Sequence, residues 1–253
     1  MTFDELKKLL SFSPSATTEA RWILSENFSD SIIYEIIEKR KSGKPLSKIL
    51  GYRGFWKGNF IVDENVLDPR PDSETLIQAV LEKFPVADTP LRILDIGTGS
   101  GCLIISLLTE YKNATGVGVD ISEKAIEIAE KNADKDGIKA NFILADMKKL
   151  PEELGIFDIV VSNPPYIPTK DIEQLDESVK KYDPVLALDG GKDGLDFYRI
   201  IAQKAPAPIV FLEIGQGQEK EVRDIFEKEK WHFEESKKDY AGVTRVLIFK
   251  KDL

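Results

Sequence analysis

The feature that most constrains the fold of this chain is a regular alternation of strand and helix patterns after residue 75. Near-continuous apolar segments predict strands at 91–96, 115–120, 140–145, 157–162, 208–214 and 245–250. The segments near 100–111, 122–136, 194–204 and 218–229 are predicted to be helices. Apolar strands separated by helices are typical of a parallel sheet that is covered on both faces. The sequence therefore predicts an α/β domain.

The first 50 residues are predicted to form short helices. Thr2 and Glu5 fit a capping box, which opens a helix that carries Leu6, Leu9 and Leu10. A second helix is predicted to begin at Ser29 or Asp30 and to stop before Gly43 and Pro45. Its apolar face comprises Ile32, Ile33, Ile36 and Ile37. These helices either pack against the main domain or form a docking module, and the sequence favours neither.

The next segment, 53–75, is predicted to be a β-hairpin followed by a linker. "GFWKGNFIV" places apolar residues on either side of Lys57, Gly58 and Asn59, which predicts a turn at these three positions. The prolines of "DPRPDSETL" indicate an extended linker. We expect a helical docking domain at 1–52, the hairpin and linker at 53–75, and the main domain at 76–253.

Composition excludes several classes of protein. No segment approaches the roughly 20 apolar residues that cross a bilayer, and the charged N-terminus does not resemble a signal peptide. Cys102 and His232 are the only residues of their types, which argues against a zinc site or a histidine-dependent triad. The net charge of −9 argues against binding to duplex nucleic acid, although acidity also simply favours solubility. A cytoplasmic protein without a metal is expected.

A glycine-rich segment, "LDIGTGSG" at 94–101, ends the first strand of the main domain and opens a helix. Gly97, Gly99 and Gly101 allow a tight turn and the close approach of a ligand. Cys102 stands where a dinucleotide fingerprint has its third small residue, and the Gly-Lys-Ser/Thr ending of a P-loop is missing. These details favour a ligand with an adenosine but no phosphate.

Acidic residues follow the next two strands. Asp120 ends the second strand, where a carboxylate can accept both ribose hydroxyls of a nucleoside. It could instead cap the following helix, but Ser122 already fits that role. Asp146 and Met147 end the third strand, where they could contact the adenine amine and ring. An ordinary loop acid and a core methionine fit these two positions nearly as well.

The fourth strand ends in "NPPY", residues 163–166, on the same edge of the sheet. If the cofactor is S-adenosylmethionine (SAM), the Asn163 side-chain oxygen and the Pro164 carbonyl could accept both hydrogens of a planar –NH2 group. Pro164 and Pro165 stiffen this backbone, and Tyr166 offers a flat face. A proline-rich turn would explain the prolines but not the asparagine and tyrosine. The weakly periodic, acidic segment 164–193 is expected to form a loop with a short helix over this edge.

Several longer segments carry a family resemblance. "PLSKILGYRGFWKGNFIVDENVLDPRPDSETL" (45–76), "ALDGGKDGLDFYRII" (187–201) and "LEIGQGQ" (212–218) resemble the PrmC/HemK family of glutamine methyltransferases, as do "DIGTGSG" and "NPPY". The resemblance implies SAM-dependent methylation of the glutamine amide in the Gly-Gly-Gln motif of peptide-chain release factors, with S-adenosylhomocysteine as product. It implies a Rossmann-like, mostly parallel sheet with an antiparallel C-terminal edge hairpin. We expect a monomer that acts on a protein, without direct contact to nucleic acid or membrane.

The resemblance and the strand-end pattern together assign site residues. The expected SAM contacts are Gly97, Thr98, Gly99, Ser100, Gly101, Asp120, Asp146, Met147 and Asn163. Residues Asn163, Pro164, Pro165 and Tyr166 are expected to bind the glutamine, with catalytic roles for Asn163, Pro164 and Tyr166. Arg70 is expected to close over the cofactor side. Asp68, Ser73 and Met147 depart from the commoner family residues, which are aliphatic, Thr and aromatic respectively.

Three alternatives remain open from the sequence. A related glutamine methyltransferase acts on a large-subunit ribosomal protein and has nearly the same core motifs. Adenine-N6 methyltransferases of nucleic acid share the "NPPY" and glycine-loop pair, but the acidity of this chain disfavours that function. A catalytically silent SAM-binding or docking protein is disfavoured because both hydrogen-bond acceptors of the motif are present.

Overall fold

The computed structural model describes residues 1–252. The strands of this range are β1 Tyr52–Phe55, β2 Gly58–Ile61, β3 Arg92–Ile96, β4 Thr115–Asp120, β5 Asn141–Leu144, β6 Ile159–Ser162, β7 Ile209–Glu213, β8 His232–Lys238 and β9 Thr244–Lys250. The α-helices are α1 Phe3–Leu9, α2 Ala16–Ser25, α3 Asp30–Lys41, α4 Leu46–Leu50, α5 Glu74–Lys83, α6 Cys102–Glu110, α7 Glu123–Asp136, α8 Glu177–Tyr182, α9 Asp196–Lys204 and α10 Glu219–Lys228. None of the helices in this range combines the length and apolar character that crossing a bilayer requires.

Seven strands form one sheet in the order β5-β4-β3-β6-β7-β9-β8. Strands β3 to β7 are parallel, and β9 pairs antiparallel with both β7 and β8. The predicted α/β sheet with an antiparallel C-terminal edge hairpin is therefore confirmed. The chain runs from β3 outward to β5 and then returns to the other side of β3 to form β6. Parallel sheets bind ligands at the carboxyl edge beside such a reversal.

Two apolar clusters cover the faces of this sheet. One joins the β-hairpin, α5 and α6 to one face, and the other joins α9 and α10 to the opposite face. The apolar pattern of the sequence does not predict strand β8, because most of its side chains are polar and at least partly exposed. Its partner β9 has four consecutive buried residues, which is the pattern that predicted it.

The N-terminal helices have a separate core. The predicted capping box of α1 is present, with Thr2 and Glu5 bonded reciprocally. Helix α3 begins after Ser29 as predicted, and Ile33, Ile36 and Ile37 are buried. The expectation that Ile32 shares their face is wrong, because its side chain is 42% exposed. The apolar face of α3 is thus narrower than the run of isoleucines suggests.

The hairpin has a shorter turn than the one predicted at residues 57–59. Gly58 and Asn59 belong to β2, and the turn lies at Trp56 and Lys57, with Trp56 at a φ of 52°. Asn132 of α7 accepts a hydrogen bond from the Ile61 N–H and donates to the Ile61 carbonyl, at 2.7 and 3.1 Å. Its amide also donates to the Ser100 carbonyl at 2.9 Å. This side chain therefore fixes the hairpin and the glycine-rich loop relative to each other.

The linker and the long loop also contain helical turns. The prediction of an extended linker up to residue 75 is wrong at its C-terminal end, because a 3-10 turn occupies Pro71–Ser73 and α5 starts at Glu74. Proline suits the first position of a helical turn, which explains the early start. The predicted loop 164–193 contains α8 and the 3-10 turns Thr169–Gln174 and Val185–Ala187. The last of these turns borders the cavity described below.

Candidate active site

A cavity of about 250 Å³ opens at the carboxyl edge of the sheet. Its walls include 97–100 after β3, 119–122 at the end of β4, 145–148 after β5, and Asn163 and Pro165 after β6. The linker segment 65–70 and the long loop close it from the outside. The strand ends thus converge where the sheet topology favours ligand binding.

Two glycines of the loop after β3 leave space for a ligand. Gly97 and Gly99 have φ values of 74° and 54°, and a Cβ built on either of them meets no atom within 4 Å. The Gly97 and Thr98 N–H groups both donate to the Val119 carbonyl at 2.9 Å, which fixes the turn. The backbone therefore presents an open surface to the cavity.

Gly101 has a different role from the other two loop glycines. A Cβ at Gly101 would lie 2.9 Å from Ile105 Cδ1 and 3.2 Å from Ala129 Cβ. The residue does not line the cavity. Its small size instead lets α6 start close to α7, so the predicted SAM contact at Gly101 stays a prediction.

Asp120 points its carboxylate at the cavity from the end of β4. Its Oδ2 accepts a hydrogen bond from the Gly99 N–H and its Oδ1 accepts one from the Ser122 N–H, both at 2.9 Å. Burial raises the pKa of Asp120, while the hydrogen bonds from Ser122 and Gly99 lower it. Ser122 itself caps α7 by accepting from the Ala125 N–H. Asp120 is thus free of the capping role, and each of its oxygens retains capacity for a ligand hydroxyl.

Asp95 lies behind the same loop and was not singled out from the sequence. It is fully buried, and its Oδ2 accepts a hydrogen bond from Thr98 Oγ1 at 2.7 Å. Burial raises the pKa of this carboxyl to about 7. Its Oδ1 and the Ser100 hydroxyl are buried without a hydrogen-bond partner in residues 1–252. The glycine loop is therefore tied through Thr98 to a buried carboxyl group.

Asp146 and Met147 line the cavity after β5. The Asp146 side chain accepts a hydrogen bond from the Lys148 N–H at 2.9 Å and caps a 3-10 turn at Met147–Lys149. Met147 packs against the apolar cluster on one sheet face. Each residue therefore has a local structural role as well as a place in the cavity wall. Their contacts with an adenine remain predictions.

Asn163 ends the β6 segment with its side chain in the cavity wall. Its Nδ2 donates a hydrogen bond to Ser73 Oγ at 3.1 Å. No donor from residues 1–252 reaches Asn163 Oδ1 or the Pro164 carbonyl oxygen. We call these two oxygens the acceptor pair, because neither accepts a hydrogen bond within these residues; Asn163 lines the cavity, and Pro164 directly follows it.

The other three residues of the NPPY motif differ in whether they line the cavity. Pro165 lines the cavity, whereas Pro164 and Tyr166 do not. The Tyr166 ring packs against an apolar cluster of the sheet, and burial raises the pKa of its hydroxyl. Its expected role as a flat face for the ligand therefore stays a prediction, and so do the assigned roles of Pro164 and Pro165.

Two glycines near the C-terminal end of the long loop pack against this motif. A Cβ at Gly190 would lie 2.8 Å from the Pro165 carbonyl oxygen and the Tyr166 Cα. At Gly194, which has a φ of 77°, it would lie 2.3 Å from the Tyr166 carbonyl oxygen. These glycines let the 190–194 backbone press directly on the motif. The segment "ALDGGKDGLDF" thus has a physical reason for its glycines.

The loop after β7 supports the motif from the other side. Gln218 Nε2 donates to the Tyr166 carbonyl at 3.0 Å, and its Oε1 accepts from the Gly215 N–H at 2.9 Å. Glu213, at the end of β7, is 2% exposed. Burial raises the pKa of Glu213 to about 7, against the opposing influence of the nearby Ser73, Arg245 and Asn163 side chains. We refer to Ser73, Gly190, Gly194, Glu213 and Gln218 as the supporting residues.

Sequence reasoning gave no role to Ser73, Glu213 or Gln218. The signal for Glu213 is a carboxylate at the end of the otherwise apolar strand "IVFLE". Buried carboxylates are costly, so such a position indicates a specific partner. Gln218 and Ser73 carry no comparable signal, because polar residues are ordinary in loops and helix starts.

Arg70 lies at the outer wall of the cavity, in a cluster of charges. Its Nη2 is 2.8 Å from Asp183 Oδ2, and the buried Lys48 Nζ lies 2.8 Å from Asp68 Oδ1 and 3.6 Å from Asp183 Oδ1. The cluster joins α4, the linker and the long loop. The position of Arg70 is compatible with its expected role of closing over a cofactor, which remains a prediction.

The chain is similar to known methyltransferases. A family model described as a methyltransferase domain matches residues 87–204. The release factor glutamine methyltransferase of Rhodospirillum rubrum is 42% identical over 221 residues, or 85% of this chain and 67% of that protein. The protein of the same name from Agrobacterium fabrum is 40% identical over 227 residues, or 87% of this chain and 78% of that protein.

Solved structures share the fold at low identity. The hMettl16 catalytic domain in complex with MAT2A 3′UTR hairpin 6 has a TM-score of 0.58 at 14% identity, covering 76% of this chain and 74% of that one. Magnesium protoporphyrin IX methyltransferase from Synechocystis PCC 6803 with bound SAH has a TM-score of 0.51 at 17% identity, covering 71% of this chain and 83% of that one.

Within residues 1–252 no group of three or more His, Cys, Asp and Glu side chains could hold a metal ion.

Proposed function

The chain belongs to the family of release factor glutamine methyltransferases, and we propose that it methylates the side-chain amide nitrogen of a glutamine in a peptide-chain release factor. The target is the glutamine of a Gly-Gly-Gln motif, as the sequence resemblance implies. The observation that carries this proposal is the acceptor pair, two oxygens without hydrogen-bond donors beside the cavity, which could receive the two hydrogens of a planar amide.

The cavity fits SAM by the chemistry of its walls. The open backbone at Gly97 and Gly99 admits a ligand closely, and the Asp120 carboxylate can accept hydrogen bonds from ribose hydroxyls. Asp146 and Met147 would lie along the adenine, and Arg70 would close the outer side. Bound SAM supplies an electrophilic methyl group on a sulfonium.

The acceptor pair would orient the amide group of the substrate glutamine. An amide nitrogen is a poor nucleophile because its lone pair is delocalised into the carbonyl group. Asn163 Oδ1 and the Pro164 carbonyl would each hold one N–H of the glutamine and so fix the plane of its amide. Positioning and preorganised dipoles of this kind can lower a barrier by several kcal/mol, roughly 3 per well-placed group. The nitrogen would gain an N–CH3 bond as the S–CH3 bond of the sulfonium breaks, and it would give up one proton to solvent. The products are an N-methyl amide and S-adenosylhomocysteine.

The proposed acceptor is a protein for reasons of charge and domain organisation. The net charge of −9 is unfavourable for a nucleic acid substrate. Residues 1–52 are proposed as a docking domain for the release factor, 53–75 as its connection and 76–253 as the SAM-dependent domain. We further propose that the enzyme acts as a monomer in the cytoplasm and needs no metal.

The test is a labelling experiment with methyl-labelled SAM and three acceptors. These are an intact release factor, a short peptide that carries only its Gly-Gly-Gln motif, and a duplex DNA. We expect the label in the intact factor, less in the peptide because it lacks the docking contacts, and none in the DNA. A factor with the target glutamine replaced by alanine is the matched control and should stay unlabelled. Label in adenine, with none in the factor, would overturn the proposal.

A further inference from the structure

The Asn163 side-chain amide can adopt two orientations that differ in whether its oxygen or its nitrogen faces the substrate. An amide group has nearly the same shape when its oxygen and nitrogen are exchanged by a half turn. Only one of these orientations places Oδ1 in the acceptor pair. In the other, Nδ2 would face the hydrogens of the substrate amide and repel them. Some neighbour of Asn163 must therefore distinguish its nitrogen from its oxygen.

Ser73 alone cannot make this distinction. Asn163 Nδ2 donates to Ser73 Oγ at 3.1 Å. A hydroxyl is both donor and acceptor, so after a half turn of the amide Ser73 could donate to Asn163 Oδ1 instead. The hydrogen bond is compatible with either orientation.

Glu213 has the chemistry that Ser73 lacks. An ionised carboxylate only accepts hydrogen bonds, so it favours the amide nitrogen over the oxygen. Glu213 follows Leu212, which pairs with Ser162 in the sheet, so Glu213 lies beside Asn163 at the same edge. The Ser73 and Asn163 side chains lower the pKa of its carboxyl group, so both lie near it. Its Oε2 is buried and makes no hydrogen bond within residues 1–252, which leaves it available to the Asn163 amide.

The surroundings of Glu213 do not give it an ordinary structural role. The nearby Arg245 pairs instead with Asp72 and Asp239, at 3.0 and 2.8 Å. A carboxyl group buried without a direct cation destabilises a fold, and an apolar side chain would normally replace it at no loss. A function in orienting Asn163 accounts for its presence.

We propose that Glu213 is a positioning residue: its carboxylate holds the Ser73 hydroxyl and the Asn163 Nδ2, and so keeps Asn163 Oδ1 turned toward the substrate amide. This inference rests on the proposed function, because it assigns a direction to the acceptor pair. Glu213 touches neither the substrate nor the cofactor and acts through Asn163.

The test compares two substitutions that separate shape from chemistry. Glu213→Gln keeps the shape but replaces an acceptor oxygen with an –NH2 donor, so the residue becomes compatible with either orientation of Asn163. Glu213→Asp shortens the side chain but keeps an acceptor-only group. We expect the Gln variant to lose several-fold in kcat, with KM for the release factor and Kd for SAM little changed. The Asp variant should retain more activity than the Gln variant. A purely structural role predicts the reverse order, and that order would overturn the proposal.

Glu110→Gln provides a control. The Glu110 side chain, at the end of α6, is 17% exposed and pairs with Lys57 at 2.6 Å, and the residue does not line the cavity. Its replacement should lower the melting temperature slightly by weakening this ion pair, without changing kcat of the folded protein. Glu213→Gln should instead lower kcat without lowering the melting temperature. A wild-type protein that methylates no release factor would overturn the proposed function, whereas an active wild type with Glu213→Gln as active as Glu213→Asp would overturn only the role of Glu213.

The pH dependence of the wild-type enzyme gives a test without substitution. A proton on Glu213 creates a donor that can hold Asn163 Oδ1 in the wrong orientation. With its pKa near 7, wild-type kcat should fall as the pH drops from about 8 to about 6. The titratable or charged groups that interact electrostatically with Glu213 are Asp72, Cys102, Tyr166, Tyr198 and Arg245. A kcat that is constant over this range would contradict the proposal, even if Glu213→Gln does not fold.

Discussion

The two sides of the site are built in different ways. On the cofactor side, Gly97, Gly99 and Asp120 are held by backbone hydrogen bonds among neighbouring strand ends. On the acceptor side, the acceptor pair is held by supporting residues from three other segments, at 73, 190–194 and 213–218. Short motifs therefore suffice to build the first side, whereas the second depends on tertiary packing. Substitutions on the two sides should accordingly have separable effects on SAM binding and on turnover.

The largest effect is expected from the acceptor pair itself. Asn163→Ala removes one of the two oxygens that orient the substrate amide in the transition state. We expect kcat to fall by about 100-fold or more, as when one preorganised group is lost from other active sites. The Kd for SAM, measured by calorimetry, should change by much less. An equal loss in SAM affinity would show that the two sides are not separable at this residue.

The converse effect is expected from Asp120→Ala. Each hydrogen bond to a charged carboxylate contributes roughly 1.5–3 kcal/mol, so loss of the ribose contacts should weaken SAM binding about tenfold or more. At saturating SAM, kcat should fall far less than in Asn163→Ala. Calorimetry on the folded variant measures the affinity directly, and an unchanged Kd would remove Asp120 from the SAM site.

A smaller loss of turnover is expected from Gly194→Ala, through displacement of the supported motif. The added Cβ would lie 2.3 Å from the Tyr166 carbonyl oxygen, so the 163–166 backbone must shift. Gly137→Ala is the matched control, since Gly137 also has a positive φ, 66°, but its Cβ meets no atom within 4 Å. Both changes should cost about 1–2 kcal/mol of stability through backbone strain. Only Gly194→Ala should lower kcat several-fold, and equal kcat in the two variants would argue against support from this segment.

The smallest effect concerns stability and follows from the charge on Glu213. Its pKa rises from 4.5 when unfolded to about 7 when folded. The folded state therefore binds more protons between these values, and stability is lost as the pH rises through that window. Glu213→Gln removes this loss, so it should raise the melting temperature at pH 8 and leave it nearly unchanged at pH 4.5. Equal changes in melting temperature at both pH values would mean that folding does not raise the pKa of Glu213.

The difference between the two sides also explains what the sequence could predict. Gly97, Gly99 and Asp120 each end or follow an apolar strand, so the strand pattern alone brings them to one edge. Asn163 was predictable for the same reason. Ser73, Glu213 and Gln218 meet the motif only through sheet pairing and the packing of the linker, which no local pattern records. The turn at Trp56 and the start of α5 at Glu74 were misjudged because glycine and proline indicate irregular structure without fixing its position.

The most direct test of the account is to locate the transferred methyl group. An intact release factor is incubated with SAM and either the wild-type enzyme or Asn163→Ala, and the modified residue is identified by tandem mass spectrometry. The account predicts one methyl group on the side-chain amide of the Gly-Gly-Gln glutamine with the wild type, and almost none with the variant at the same SAM occupancy. A methyl group on any other residue, or an equal yield from Asn163→Ala, would contradict the claim that the acceptor pair orients a glutamine amide for transfer.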